Sequence, residues 1–326
     1  QCARKLVPRL SLERKDSETP SCFDYRATPA DTLSPPCLPW FHWVFIGSNL
    51  LNWNDKQKNI DLTPKNPFDR FDDGRPKVPD DIIHRMRRVT SEEAWGVLNS
   101  NDFKLQFEGD WQILHPDEIL VGRAVTCRYV PLRPDLNEVI EDIGKEEGRV
   151  GGQNSWAIDT LVENDVIVVD LFGKIIWGTF AGDNLATAIA SNTNGGGMVV
   201  DGGMRDYQRV VELENFNGFI KGLDPTPIRD VSLVEINVPI RIGAATVLPG
   251  DVVLGTPTGV TFIPPHLAQD VVERSENVRL RDYFGQMRIR EGVYTPGEVD
   301  RKWSEPMEDD FAEWSKTHNL ETEGLN

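Results

Sequence analysis

The segment that decides the fold is residues 165–211, DVIVVDLFGKIIWGTFAGDNLATAIASNTNGGGMVVDGGMRDYQRVV. It begins with continuous apolar runs at residues 165–173 and 175–178, which are typical of strands buried on both faces. Residues 184–191 combine good helix formers with an apolar stripe, and an Asp or Asn at their start can cap a helix. Residues 198–200 form another apolar strand, followed by a Gly-Gly turn. This strand, helix, strand and turn unit predicts an α/β domain.

The flanking sequence extends the same pattern in both directions. Residues 120–130 are rich in β-formers, and further strands are predicted at residues 231–238, 252–255 and 259–264. Two short helices with acidic starts are predicted near residues 82–89 and 94–98, and a helical pattern begins at His266. We therefore divide the chain into three parts: an irregular extension over 1–74 that is a candidate for disorder, an α/β domain over 75–285, and an acidic extension over 286–326. We expect the last part to dock on the domain or on a neighbouring subunit.

The charge distribution excludes one class of function. The chain carries a net charge of −17, and residues beyond position 60 hold 27 basic against 46 acidic side chains. Such a surface repels phosphate backbones, whereas nucleic-acid binding requires clusters of Lys and Arg. We therefore expect no direct nucleic-acid partner.

The cysteines and the apolar runs argue against several further kinds of site and segment. Cysteines stand at positions 2, 22, 37 and 127 without the spacing of a metal site. Cys127 lies in a β-rich stretch, which favours a buried strand residue over a nucleophile. The apolar run at 38–46 is too short to cross a bilayer and does not fit a secretory signal. The sequence thus predicts a cytoplasmic protein without a membrane partner.

Two dipeptides are candidates for chemistry. Gly182-Asp183 opens the predicted helix, where unpaired N–H groups and the helix dipole favour an anion such as a carboxylate. Arg205-Asp206 follows a buried strand, and the carboxyl ends of strands in open α/β sheets form ligand crevices. Each dipeptide alone is equally typical of a helix cap or a surface ion pair. Their combination predicts a site.

The combination also resembles a known family. A Gly-Asp helix start followed about twenty residues later by Arg-Asp, with an opening strand at 121–126 and closing strands at 248–253 and 259–264, is similar to the RraA-like family. The resemblance covers roughly residues 75–285. It implies a layered β/β/α swivelling-type domain, here with a helical C-terminal extension, and a homotrimer or hexamer.

The resemblance also implies roles for individual residues. Members of the family include class II aldolases that use Mg²⁺ or Mn²⁺ to cleave 4-hydroxy-2-oxo diacids to pyruvate. On that pattern Asp206 would hold the metal, Arg205 would bind the small 2-oxo acid and its enolate, and Asp183 would hold a metal-bound water. The helix start at Gly182, with the N–H groups of Asn184 and Leu185, would receive the substrate carboxylate.

The residue types suit this chemistry. A fixed cation and a Lewis acid stabilise the negative charge of a pyruvate enolate, and the same enolate would arise from oxaloacetate decarboxylation. A Schiff-base route would need a lysine, and residues 182–209 contain none.

The sequence departs from the family pattern at two positions near this site. Twenty-one residues separate Asp183 from Arg205, so either the glycine run 195–197 absorbs an insertion or Asn184 takes the acidic position. Arg209 stands where many members carry an acidic residue.

Other readings of the chain remain beside the lyase. Arg133 is a candidate for a second substrate carboxylate, although a surface loop arginine is the more usual interpretation. The family also includes non-catalytic proteins that bind and inhibit a ribonuclease, and that alternative stays open. A quinone methyltransferase, a label the family has carried, is disfavoured because no glycine-rich loop with an acidic ribose ligand is present.

Overall fold

The computed structural model describes residues 55–325. One large mixed sheet runs through this part of the chain, and helices and a small second sheet pack against it. In chain order the elements are α1 (Lys56–Leu62), α2 (Asp80–Met86), α3 (Ser91–Ser100), β1 (Phe107–Glu108), β2 (Gln112–Ile113), β3 (Leu120–Pro131), α4 (Pro134–Glu146), α5 (Gln153–Ile158), β4 (Asp165–Thr179), α6 (Asp183–Thr193), β5 (Gly197–Met204), α7 (Tyr207–Val210), β6 (Asn217–Leu223), β7 (Val231–Ile236), β8 (Ile240–Ile242), β9 (Ala245–Val247), β10 (Val252–Thr256), β11 (Gly259–Ile263), α8 (Pro265–Arg290), α9 (Pro296–Val299) and α10 (Glu305–Trp314).

The centre of the large sheet is parallel. The strand order is β1-β11-β10-β3-β4-β5-β6-β2, with β7 added beside β3, and the pairs β3/β4, β4/β5 and β5/β6 are parallel. Because these strands run in one direction, their carboxyl ends meet at one edge of the sheet. That edge is where Gly182 and Arg205 were expected to lie.

Both faces of the central strands are buried, as the continuous apolar runs predicted. Along β4, Ile167 and Val169 pack on one face with helices α4 to α6, while Val166 and Val168 pack on the other with the two-stranded β8/β9 sheet. This alternation follows from the two-residue period of a strand. The layers stack in the order small sheet, large sheet, helices. This order confirms the predicted β/β/α fold class.

The predicted domain borders need correction at both ends. Residues 55–74 were assigned to the irregular extension, but they contain helix α1 and the buried Asn59, and the rest of that extension lies outside the described residues. At the other end, the border at residue 285 falls inside α8, which continues to Arg290. The C-terminal helices pack on α8 of the same chain through Phe284, Trp303 and Phe311. No helix among the described residues is long and apolar enough to cross a membrane.

Two further predictions concern single residues. Cys127 is fully buried on β3, and burial raises the pKa of its thiol, so its interpretation as a core residue is confirmed. Arg133, considered for substrate binding, is the residue before α4 and pairs with Asp135 at 2.8 Å on an exposed surface.

Candidate active site

The two dipeptides singled out in the sequence meet at the carboxyl edge of the sheet. The segment after β4 runs beside the end of β5, where the Phe180 N–H donates to the Gly203 carbonyl at 2.9 Å and the Arg205 N–H donates to the Ala181 carbonyl at 3.1 Å. These backbone bonds place Gly182 directly against Arg205 and Asp206. The predicted proximity of the two motifs is therefore present in the structure.

Arg205 and Asp206 form a contact pair at this edge. The guanidinium Nη1 lies 2.9 Å from the Asp206 Oδ2, and the Asp183 N–H points at the same oxygen from 3.4 Å. Asp206 adopts the left-handed conformation, with φ 57° and ψ 31°. Non-glycine residues in that region concentrate at functional sites, where the surrounding structure stabilises them.

Glycine is required at position 182 because the side chains of Asp206 and Arg205 lie so close to it. A Cβ atom at position 182 would overlap the Asp206 carboxylate and come within 3.0 Å of the Arg205 guanidinium carbon. Gly182 also serves as the residue before α6, so the first turn of the helix faces the Arg205-Asp206 pair. Glycine thus lets a carboxylate, a guanidinium and a helix N-terminus share one corner.

Asp183 makes a second ion pair that the sequence did not predict. Its Oδ2 lies 2.8 Å from Nη1 of Arg209, and its Oδ1 accepts the N–H of Asn184 at 2.9 Å. The hydrogen bond from Arg209 is the main cause that lowers the pKa of Asp183, and the charge of Arg205 contributes. Asp183 is therefore ionised at neutral pH, and positive and negative groups alternate across the site.

The structure distinguishes the roles proposed for the start of α6. The spacing left open whether Asp183 or Asn184 takes the acidic position of the site. The side chain of Asp183 pairs with Arg209 of the cleft, whereas Asn184 is exposed. The Asn184 N–H already donates to Asp183, so it is not available to a substrate in this conformation. The Leu185 N–H makes no hydrogen bond to another described residue and remains the better carboxylate donor.

A cleft of about 550 Å³ opens beside these groups. The end of β5 and the start of α7 form one wall, and Leu223, Asp224 and Pro225 after β6 form the other. A volume in this range suits a small ligand. None of the described residues that line the cleft is a lysine.

Two charged residues of the cleft were missed as site residues. Arg209 was noted only as a departure from the family pattern, and its place gave no helical signal because α7 begins after the left-handed Asp206. Asp224 gave no signal, because the sequence did not predict β6 as a strand.

The site offers few ligands to a hard divalent cation. Among residues 55–325 no cluster of three or more His, Cys, Asp or Glu side chains has the arrangement of a metal site. Asp206 nevertheless presents a carboxylate to the cleft, and Mg²⁺ is commonly held by one or two carboxylates while water and substrate oxygens fill its other positions. One carboxylate of this kind is compatible with a hydrated Mg²⁺ whose remaining ligands are not protein side chains.

Fold and site together define a class: an α/β protein with a cleft of small-ligand size at the carboxyl edge of its sheet. The chain belongs to the RraA-like family, Aldolase/RraA, whose family model matches residues 92–262. That span contains both ion pairs of the site.

Three similar proteins illustrate the range of this family and fold. A protein of Halalkalibacterium halodurans named "Putative 4-hydroxy-4-methyl-2-oxoglutarate aldolase" is 32% identical over 145 residues, which cover 44% of this chain and 68% of that protein. The crystal structure of Streptomyces coelicolor RraAS2, described as an unusual member of the RNase ES inhibitor RraA protein family, is 25% identical with a TM-score of 0.55 and covers 65% of this chain and 100% of that chain. An uncharacterized protein from Pseudomonas syringae, 21% identical with a TM-score of 0.56 over 72% of this chain and 97% of its own, shares the fold.

Proposed function

We propose that this protein is a divalent-metal-dependent lyase that cleaves a C–C bond of a 4-hydroxy-2-oxo diacid to release pyruvate. The observation that carries the proposal is the Arg205-Asp206 pair, which lies in contact at the end of β5 and against the start of α6 in a cleft of small-ligand size. The family and the name of the Halalkalibacterium halodurans relative support the substrate class.

The residues of the cleft suit the charge changes of this reaction. In a retro-aldol cleavage the 4-hydroxyl group loses its proton, the C3–C4 bond breaks, and its electron pair remains on the pyruvate half as an enolate. The planar guanidinium of Arg205 can bind the 2-oxo acid and stabilise that enolate. The helix start at Gly182, with the Leu185 N–H, can accept the carboxylate. Asp183, kept ionised by Arg209, can orient a water molecule.

Asp206 is the proposed metal ligand, with Mg²⁺ or Mn²⁺ as the ion. When bound, such an ion supplies Lewis-acid stabilisation of developing negative charge on the 2-oxo acid. Oxaloacetate is a second candidate substrate, because loss of its carboxylate leaves the same pyruvate enolate. Both reactions then require Arg205 and Asp206.

The test is pyruvate release measured with a coupled lactate dehydrogenase assay. We expect activity on 4-hydroxy-4-methyl-2-oxoglutarate or oxaloacetate with Mg²⁺ or Mn²⁺, loss of activity with EDTA, and a decrease of at least roughly 100-fold in Asp206→Asn. Asp230→Asn is the matched control, because Asp230 is an exposed aspartate with the same left-handed backbone, φ 56°. No pyruvate from any 2-oxo diacid with either metal, or full activity in Asp206→Asn, would exclude the lyase.

The alternative function is a protein that binds and inhibits a ribonuclease without catalysis. It is favoured by the likeness to Streptomyces coelicolor RraAS2, which this chain covers over its full length. Purified RNase ES labelled with a fluorophore would show binding as a change in anisotropy, and Asp206→Asn should leave that binding unchanged. Binding together with no lyase activity would replace the first proposal with this one.

We include in the proposal a cytoplasmic homotrimer or hexamer, as the family resemblance implies. Multi-angle light scattering of the full chain measures the mass directly. A monomer of 36.8 kDa would contradict this part and leave the lyase proposal standing.

A further inference from the structure

A second cavity lies away from the Arg205-Asp206 cleft and shares no lining residue with it. Its volume is about 460 Å³, and it is bordered by the segment after α1, the β9–β10 region and the start of α8. Its lining residues are Leu62, Thr63, Pro64, Lys65, Asn66, Phe103, Gln106, Thr246, Leu248, Asp251, Pro264, Pro265 and His266. Most of this wall is apolar, which is typical of small-molecule sites.

Asp251 is the most deeply buried polar residue of this wall. It is 1% exposed, and its Oδ2 accepts the N–H of Leu248 at 2.8 Å. Its Oδ1 has no hydrogen-bond partner among the described residues. A buried oxygen without a partner is unfavourable by a few kcal/mol at most sites, so native proteins rarely leave one.

Three other polar side chains of the wall donate to backbone oxygens of the protein itself. The Gln106 amide donates to two backbone carbonyl oxygens at 3.0 and 3.2 Å, and the Thr63 hydroxyl donates to a carbonyl oxygen at 2.7 Å. The Asn66 amide donates to the Phe68 carbonyl at 2.7 Å. Among the deeply buried polar atoms of this wall, Oδ1 of Asp251 is therefore the one with hydrogen-bonding capacity left over.

The charge state of the cavity follows from its burial. Burial raises the pKa of Asp251 to about 8, and no charged neighbour contributes to that shift. The other titratable groups of the lining are Lys65, which is exposed, and His266. Burial first, and then the charge of Lys65, lower the pKa of His266. At pH 7 the interior thus presents an uncharged imidazole and a protonated carboxyl group, whose O–H is a donor.

We propose that this cavity binds a small, uncharged and largely apolar molecule with one hydrogen-bond acceptor, such as an aryl ketone. The oxygen of that ligand accepts a hydrogen bond from the carboxyl group of Asp251. An ion of either sign would lose its hydration against the apolar wall. A neutral acceptor satisfies the orphan carboxyl group without introducing a charge.

Two probes of nearly equal shape test the proposal. Acetophenone carries a carbonyl oxygen where α-methylstyrene carries a methylene group, and both are titrated into the full chain by ligand-observed NMR. At pH 7.0 we expect acetophenone to bind about three- to tenfold more tightly, the range of one net hydrogen bond. At pH 9.5, where Asp251 is ionised, this preference should disappear.

Variants separate the carboxyl group from the cavity. Asp251→Asn keeps a donor, so it should retain the preference for acetophenone and lose its pH dependence, whereas Asp251→Leu should abolish the preference. Thr246→Trp, at an exposed lining position of β9, should fill the cavity and prevent binding of both probes. Val150→Trp, at an exposed residue outside the lining, is the control and should bind as the wild type does.

The proposal is overturned if neither probe binds, if both bind equally at pH 7.0, or if Thr246→Trp leaves binding unchanged. The pH comparison and Thr246→Trp remain decisive if the Asp251→Leu chain does not fold.

Discussion

At the residue scale, the site depends on one glycine and one left-handed aspartate. Gly182 has φ −116°, a conformation open to any residue, so its need for glycine comes from space rather than from backbone strain. Asp206, in contrast, holds an unusual φ to aim its carboxylate at Arg205. The two requirements are complementary, because the freed volume at Gly182 is the volume that Asp206 occupies.

Gly182→Ala should impair activity while leaving the fold intact. The atoms that a Cβ would meet belong to the side-chain ends of Asp206 and Arg205, which can move away at small energetic cost. The displaced pair would lose its geometry, and misplacement of about 1 Å can lower catalysis by roughly 100-fold. Pyruvate release and urea unfolding measure the two effects separately.

Gly96→Ala is the matched control for this substitution. Gly96 lies in α3 with open space around it, and alanine there should stabilise the helix by up to about 1 kcal/mol without changing activity. Equal activity in Gly182→Ala and the wild type would show that close packing at residue 182 is unimportant.

One part of the site could be predicted from the sequence and another part could not. Arg205-Asp206 and Gly182-Asp183 could be brought together because each follows a buried strand, and parallel strands share a carboxyl edge. The Asp183–Arg209 pair could not, because its geometry depends on how the short helix α7 turns after the left-handed Asp206. A local pattern does not report such a turn when the residue in it is not glycine.

At the element scale, the sequence was most informative where strands are buried on both faces. β3, β5, β10 and β11 agree with the apolar runs, but β4 was predicted as two strands. The structure has one strand, Asp165–Thr179, with register shifts near Lys174 and positive φ at Phe172 and Trp177. The bulged middle interrupts the apolar period, which is why the run looked divided.

Two helices next to Pro and Gly residues were missed, although α4 is amphipathic. Helices α4 and α5 lie in a segment for which no element was predicted, and Pro131, Pro134 and the Gly151-Gly152 pair frame it. Helix α4 begins with its proline in the first turn, where a proline is favourable rather than disruptive. The presence of proline was therefore a start signal.

The C-terminal helices are attached through one aromatic cluster. Phe284 of α8 is fully buried, and its ring centroid lies 5.3 to 5.7 Å from those of Phe311, Trp314 and Trp303. Phe284→Ala should weaken the attachment by about 3–5 kcal/mol, because a large cavity is left among rings that cannot close it. Hydrogen exchange should then show reduced protection in α10 and unchanged protection in β3 to β5. Trp95→Ala, at a largely exposed position, should leave both regions as they are.

At the scale of the whole molecule, a buried ion pair fastens the chain before α2 to the sheet. The Arg75 guanidinium donates to both oxygens of Asp165 at 3.1 and 3.2 Å and to Asp73 at 2.7 Å, and both Arg75 and Asp165 are almost completely buried. Asp165 begins β4, one of the central strands. Residues 55–75 are therefore part of the folded domain, contrary to the border predicted at residue 75.

Arg75→Met should destabilise the whole domain by about 3–5 kcal/mol, because Asp165 would remain buried without its partner. Urea unfolding should show a lower midpoint, and the double variant Arg75→Met/Asp165→Leu should recover much of the loss. Arg133→Met, which breaks the exposed pair with Asp135, should leave the midpoint nearly unchanged. A similar midpoint for Arg75→Met and the wild type would mean that the pair is not a fastening point.

The carboxyl group of Asp251 also makes folding of this chain a proton-uptake reaction. Its pKa rises from the ordinary 3.8 to about 8 in the folded protein, so between these values the folded chain holds a proton that the unfolded chain gives up. The stability that this group contributes is complete below pH 3.8 and is lost as pH rises towards about 8, at a slope of about 1.4 kcal/mol per pH unit. A cavity ligand that accepts a hydrogen bond from this group would hold the proton in place, and so would extend the stable range of the molecule towards alkaline pH.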